Sequence, residues 1–366
     1  MERSFSNEIN MLKLGKGEEF FGEGILAVTK ALLQSGVSYV GGYQGAPVSH
    51  LLDVMVQAKD YLSELGVYVE ACTNEASAAA MLGASISYPV RGAVTWKSIV
   101  GTNVATDALS NLASPGVIGG ALIVVGEDYG EGSSIIQERT HSIALKSGIW
   151  LLDPRPNLET IVSCVENAFK LSEISNSPVM LELRIRACHV QGSFISKDNV
   201  KPKISKNFPL EEAADHDYNK ISHPPSTYMH EKEKYDKRKP NAQKYILENK
   251  LNEIYEAEYS EIGIIIQGGL FNSLHRAIEE LGFTDSSKLK TKFSLLVLNV
   301  VYPLVDEEIV NFIKGKKAIL VIEEGQPEFI EHEIGSIIRK SNLSVSLNGK
   351  NYLPMAGEYT PEVICV

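Results

Sequence analysis

From Gly22 onward, segments with helically spaced apolar residues alternate with short runs rich in β-branched residues, and this alternation narrows the possible folds more than any other feature. Strands separated by helices pair in parallel, and such a sheet needs helices over both faces. The spacing predicts helices over 24–34, 48–65, 75–87, 103–112 and 158–173. It predicts strands over 38–42, 67–72, 92–96, 121–126 and 179–185, together forming an open α/β unit. Between about 192 and 257 the composition shifts to Lys, Asp, Asn, Pro and His. That stretch reads as a charged linker with some helix near its end, and its run HEKEKYDKRKPN reads as solvating. The alternation then resumes through EIGIIIQGG, SLHRAIEELG, FSLLVLNV, DEEIVNFIKG, KAILVIEEG and EFIEHEIGSIIRKS, ending in a short strand at Val345. The expected organisation is a first unit over 1–191, a linker over 192–257 and a smaller α/β unit over 258–366. No fixed-period repeat occurs, which argues against a solenoid.

With 366 residues and 44% hydrophobic content the chain can fill two cores. Its net charge of -11 supplies no positive field for phosphate backbones, so nucleic acid is not an expected partner. No apolar run reaches the roughly 18 residues of a membrane span, and the start MERSFSNEINMLKLGKGEEF lacks a basic-then-apolar export signal. A cytoplasmic protein with no membrane association is expected. Cys72, Cys164, Cys188 and Cys365 lie far apart, suggesting neither a disulfide framework nor a C-x-x-C metal or iron–sulfur site.

In open α/β sheets the loops leaving the carboxyl ends of strands form the ligand crevice. Four such loops stand out: GGYQGAPVSH (41–50), CTNEASAAA (72–80), TWKSIVGTN (95–103) and GEDYGEGSSIIQERT (126–140). Thr73 and Asn74 are good cap residues, so Glu75 falls where a strand ends and a helix of small residues begins. By spacing alone it could be an ordinary acidic residue of a first helical turn. Gly41, Gly42, Gly45 and Pro47 suit a backbone that approaches a ligand closely, or an ordinary strand-to-helix turn. The acidic fourth loop could cradle a metal or phosphate, or be a solvated turn. Gly126-Glu127-Asp128 with Asn157 vaguely imitates the Gly-Asp-Gly…Asn motif that holds Mg2+ and diphosphate in thiamine enzymes. Asp128 replaces the last glycine, so the match is read as accidental, and no metal ligand is assigned in this chain.

Taken in order, these loops resemble the alpha subunit of indolepyruvate ferredoxin oxidoreductase, within the 2-oxoacid:ferredoxin oxidoreductase family. GYQGAPVSH follows the family's GYPGTPSSE with departures at Gln44, Ala46, Val48 and His50. NEASAAAMLGASISYPVRGAVTWKSIVGTNVATDALSNLA is similar to the family's region around its activating glutamate, with Glu75 at that position. EDYGEGSSIIQERT stands at an acidic, Ser-rich loop ending in arginine. NVVYPLVDEEIVNFIKG, AILVIEEGQPEFIEHEI and NGKNYLPMAGEYTPE look like its middle domain and the lead-in to its diphosphate-binding domain.

The resemblance implies a pyrimidine-type thiamine-diphosphate-binding sheet followed by a smaller transketolase C-terminal-like domain. It implies oxidative decarboxylation of a 2-oxoacid to acyl-CoA and CO2, with electrons passed to ferredoxin and coenzyme A as co-substrate. Glu75 would be the catalytic carboxyl that shares a proton with the cofactor's aminopyrimidine ring. Gly45, Ala46, Pro47 and Asn103 would join it in binding the cofactor, and Ser49, His50, Lys97 and Arg139 are candidates for the substrate. The family's subunit continues into a diphosphate-binding domain and a ferredoxin-like cysteine-rich tail, which are expected either to be encoded separately or to be missing from a shortened gene product. A partner subunit is therefore expected to carry Mg2+, the diphosphate half of the site and the iron–sulfur clusters, in a homo- or hetero-oligomer. Ala46 replaces a threonine whose hydroxyl could touch substrate, leaving the oxoacid open. The alternatives are a non-catalytic or regulatory remnant of the family, or a thiamine-dependent transferase or decarboxylase component without redox centres.

Overall fold

The β-branched runs become strands buried on both sides, as expected for a parallel sheet covered by helices. In the computed structural model, which describes residues 4–130, 136–205, 207, 217–257, 259–285 and 290–365, the amino-terminal strands are β1 (Glu19–Glu23), β2 (Tyr39–Gly42), β3 (Tyr68–Ala71), β4 (Gly92–Lys97), β5 (Ala121–Glu127), β6 (Trp150–Leu152), β7 (Val179–Arg184) and β8 (Gln191–Ile195). They are followed by β9 (Glu253–Tyr255), β10 (Tyr259–Gln267), β11 (Thr284–Asp285), β12 (Lys290–Thr291), β13 (Phe293–Leu298), β14 (Val300–Tyr302), β15 (Ala318–Ile322) and β16 (Ser346–Asn348). Every residue of β5 and β7 is buried. Each large aliphatic side chain removed from water there contributes about 1.5–3 kcal/mol.

Seven strands form the main sheet in the order β14-β6-β7-β5-β4-β2-β3. Its pairs from β3 across to β6 are parallel, and the order jumps at β2 and β4 carry the chain over helices. β14 comes from the second unit and pairs antiparallel with β6, Val300 opposite Leu152, so the two units share one sheet. The second sheet runs β16-β15-β10-β13-β9, parallel except where β9 returns beside β13.

The predicted helix over 48–65 is two helices, Ser49–Gln57 and Lys59–Leu65, meeting at Ala58, and that over 75–87 is Glu75–Met81 followed by Ala84–Ser87. Periodicity survives such breaks because both pieces bury the same face. The charged stretch differs more from expectation. Its start is β8, zipped antiparallel to β1 with Phe20 against Phe194. Its end is helix Ser226–Glu233, a wide turn at Lys234–Arg238 and helix Lys239–Glu248. The run HEKEKYDKRKPN does not merely solvate: His230 and Arg238 are buried. Arg238 donates to the carbonyls of Ala113, Ser114 and Pro115, closing the carboxyl end of helix Val100–Ala113. A guanidinium there satisfies orphan carbonyls and the helix dipole together. Asn157, the last member of the imitated diphosphate motif, is the cap of helix Leu158–Ser175, its Oδ1 accepting from the Thr160 amide at 2.9 Å.

Candidate active site

Asn74 caps helix Glu75–Met81, its Oδ1 accepting from the Ser77 amide at 2.8 Å, and this places Glu75 at the first helical position just past the end of β3. The Glu75 side chain is 8% exposed. Among the described residues its carboxylate makes no hydrogen bond or ion pair. Behind it stands Gly101 of helix Val100–Ala113. A methyl group on Gly101 would lie 2.9 Å from Glu75 Cγ and Oε1 and 2.7 Å from Trp96 Cδ1. Only a residue without a side chain lets that helix approach so closely.

The loop after β2 lies over the end of β4. A Cβ on Gly45 would meet Lys97 Cβ at 2.6 Å, and Lys97 Nζ donates to the Ala46 carbonyl at 3.1 Å. Pro47 is buried against Gly126 at the end of β5, while Ala46 is exposed. The loops after β2, β3, β4 and β5 thus meet at one edge of the sheet, with Gly45, Ala46, Pro47 and Lys97 in mutual contact and Glu75 one helix away. Asn103 lies two residues beyond Gly101, on the exposed side of the helix.

Ser49 begins helix Ser49–Gln57 and is half-buried. His50 follows, and its Nδ1 meets Glu23 Oε1 at 2.7 Å, while His189 Nδ1 meets Glu23 Oε2 at 2.9 Å. Burial alone would raise the Glu23 pKa, but the two imidazoles outweigh it and hold the carboxyl below its usual value. His50 borders a cleft of about 450 Å³ shared with Gln44, Asp53 and Ala71, on the outer side of the sheet. Lys97 also faces Asp128 Oδ2 at 3.5 Å. Burial raises the Asp128 pKa despite that lysine and the Ile185 amide.

Arg139 sits elsewhere. Only 2% exposed, it meets Glu323 of the second unit through Nη1 at 2.5 Å, and it also bonds the Pro327 carbonyl and His141. This placement fits the structural ion pair rather than a substrate contact. Sequence reasoning named Glu127 only as part of a loop and missed Glu182, yet these two buried carboxyls stand close together on neighbouring strands. Burial, then the nearness of Glu127, pushes the Glu182 pKa well up. Gly101, the wall behind Glu75, was also missed as a site residue. Its signal lay in the small residues flanking a tryptophan strand, but only the packing shows which one has no room for a methyl. Among the described residues no group of three or more His, Cys, Asp or Glu could hold a metal, and no helix is long and apolar enough to cross a membrane.

This architecture defines a fold class: an open, mainly parallel α/β sheet whose strand-end loops gather at one edge, joined to a second α/β unit. The fold is similar to a 2-oxoglutarate:ferredoxin oxidoreductase from Magnetococcus marinus at TM-score 0.68 and 15% identity, covering 95% of this chain and 64% of that one. It is similar at TM-score 0.54 and 13% identity to a split-gene transketolase. Residues 251–340 match the indolepyruvate ferredoxin oxidoreductase middle domain. The chain is IorA-like: it is 27% identical over 358 residues to the indolepyruvate oxidoreductase subunit IorA of Methanothermobacter marburgensis, covering 97% of this chain and 55% of that protein. It is 25% identical over 349 residues to IorA of Pyrococcus horikoshii, covering 94% and 51%. The chain therefore spans about half the length of the curated relatives it matches.

Proposed function

We propose that the chain supplies the pyrimidine half of a thiamine-diphosphate site in a cytoplasmic 2-oxoacid oxidoreductase of the indolepyruvate type. The observation that carries this reading is the Glu75 carboxylate: buried at the crest of the sheet, walled by Gly101, and without a partner among the described residues. A buried carboxylate without a partner is costly unless another group completes it, and a ring nitrogen that shares its proton would do so. The small residues around it, Ala78, Ala79 and Gly101, leave flat walls and exclude water, which suits an aromatic ring. Thiamine diphosphate, when bound, would supply the carbanion chemistry that lets a 2-oxoacid lose carbon dioxide.

In this reading Glu75 holds a proton at the ring's N1′ position. Gly45, Ala46 and Pro47 form the backbone floor, and Asn103 faces outward from the wall helix toward the cofactor. Ser49, His50 and Lys97 lie along the same edge and would orient the carboxylate of the oxoacid. His50 is held for that by Glu23, which fixes its Nδ1 side. A partner subunit would contribute the Mg2+ and diphosphate half and the iron–sulfur clusters. Ferredoxin would accept the electrons, and coenzyme A the acyl group.

Copurification of the chain with the product of an adjacent reading frame, followed by 2-oxoacid-dependent reduction of a viologen dye, tests this. The parent should reduce dye and Glu75→Gln should not. An unchanged rate in the variant would remove the mechanism. Activity without any dye reduction in the parent would favour the non-redox component.

A further inference from the structure

Behind Glu75 runs a line of buried polar groups that the reaction does not use. Trp96 Nε1 donates to Thr102 Oγ1 at 3.2 Å, Thr102 Oγ1 lies 3.2 Å from Thr140 Oγ1, Thr140 Oγ1 contacts Ser98 Oγ, and Ser98 Oγ donates to Glu127 Oε1 at 3.2 Å. All five side chains are at most 2% exposed. The Thr140 amide also donates to Glu127 Oε1, at 2.6 Å.

The chemistry of the two ends settles the direction of every proton. An indole N–H can only donate, and Glu127 Oε1, which takes the Thr140 amide proton, accepts. Ser98 spends its one proton on Glu127, so Thr140 must donate to Ser98, and Thr102 must donate to Thr140. Glu127 Oε1 accepts twice, from the Ser98 hydroxyl and from the Thr140 amide. Glu127 Oε2 and Glu182 Oε1, both buried, have no hydrogen-bond partner among the described residues.

The line touches two places that matter, one at its start and one at its middle. Thr102 follows Gly101, the residue against which the Glu75 carboxylate rests, and Trp96 abuts the same glycine. Thr140 follows Arg139, whose guanidinium is paired with Glu323 of the second unit. We propose that the one-way chain Trp96→Thr102→Thr140→Ser98→Glu127 is a positioning device that holds Gly101 at its distance from the Glu75 carboxylate and ties that distance to the docking of the second unit. Its residues touch no substrate. They act through the wall, and the interest of that wall rests on the cofactor reading of Glu75.

The test needs no cofactor, so it fails or succeeds independently of that reading. Thr140→Val removes the hydroxyl and keeps the shape, and Thr140→Ser keeps the hydroxyl. Two nuclear magnetic resonance signals are followed in the 366-residue chain: the Trp96 indole N–H, separated from Trp150 by Trp150→Phe, and the side-chain carboxyl carbon of Glu75, assigned through Glu75→Gln. Thr140→Val should shift both signals, and Thr140→Ser should return both to the parent positions. Both signals staying in place, or the indole moving alone, overturns the proposal. A loss of thermal stability with the Glu75 signal unmoved marks ordinary packing and overturns it too. Should Thr140→Val not fold, Thr102→Val interrupts the same line one hydroxyl nearer the wall, with the same two outcomes.

Discussion

The crest around Glu75 and the seam between the two units treat buried charge in opposite ways. At the seam, three arginines of the first unit each meet a glutamate of the second: Arg139 with Glu323, Arg184 with Glu324, and Arg186 with Glu358. Asp153 adds a second partner to Arg184 at 2.8 Å. At the crest a single carboxylate is buried against alanine, glycine and tryptophan, with no such partner among the described residues. Charges that complete one another explain themselves as structure. One that is left incomplete points to something that arrives later, and this contrast separates a site from a scaffold more sharply than burial does.

Removing the crest carboxylate should have the largest effect on chemistry and little on folding. Glu75→Gln is expected to lower 2-oxoacid-dependent dye reduction by at least about a hundredfold, with thermal unfolding close to the parent. A large loss of stability instead would mean that Glu75 belongs with the scaffold. The seam should respond the other way. Arg184→Met strands Asp153 and Glu324 as uncompensated charges and should cost about 3–5 kcal/mol in denaturant unfolding.

A smaller effect separates the two carboxyls at the base of the seam. The folded state raises the Glu182 pKa above its usual value, through burial first and then Glu127 and Asp153, with Arg184 opposing. An acid shifted upward contributes stability that is fully present below its unfolded pKa, near 4.5, and that is lost as pH rises toward the folded value. Glu182→Gln, which removes the titrating group and keeps the shape, should therefore flatten the fall in melting temperature between pH 5 and pH 8, as seen by calorimetry at both pH values. A parallel fall in parent and variant would place the proton elsewhere. The smallest effect belongs to an exposed helix pair, Lys237 with Glu233 at 3.2 Å. Lys237→Ala should change unfolding free energy by no more than about 0.5 kcal/mol, and a larger change would give the charged stretch a structural weight beyond Arg238 and His230.

Much of the fold was legible because its main sheet is parallel and buried, so strands such as 121–127 and helices such as 24–34 stand out by period alone. The ribbon of β1 and β8 was not, since its pairing joins residues far apart in sequence and neither strand carries a long apolar run. The helices over 226–248 were hidden by charge, because periodicity cannot reveal that Arg238 faces three carbonyls instead of water. Glu75 could be named from its place between strand and helix and from a family resemblance. Its isolation could not, because the absence of a partner is a property of the surrounding space. Arg139 was named for the same edge and sits in the seam, since a loop's last arginine can turn either way and only Glu323, nearly two hundred residues on, decides it.

The strand that the second unit lends to the main sheet has a practical consequence. A fragment ending near residue 250 would keep β6 but lose β14, leaving the backbone groups of β6 bare along one side. Unpaired strand edges recruit whatever extended chain is nearby, so such a fragment should be prone to self-association, and attempts to express the amino-terminal half by itself would do well to carry the chain past Tyr302.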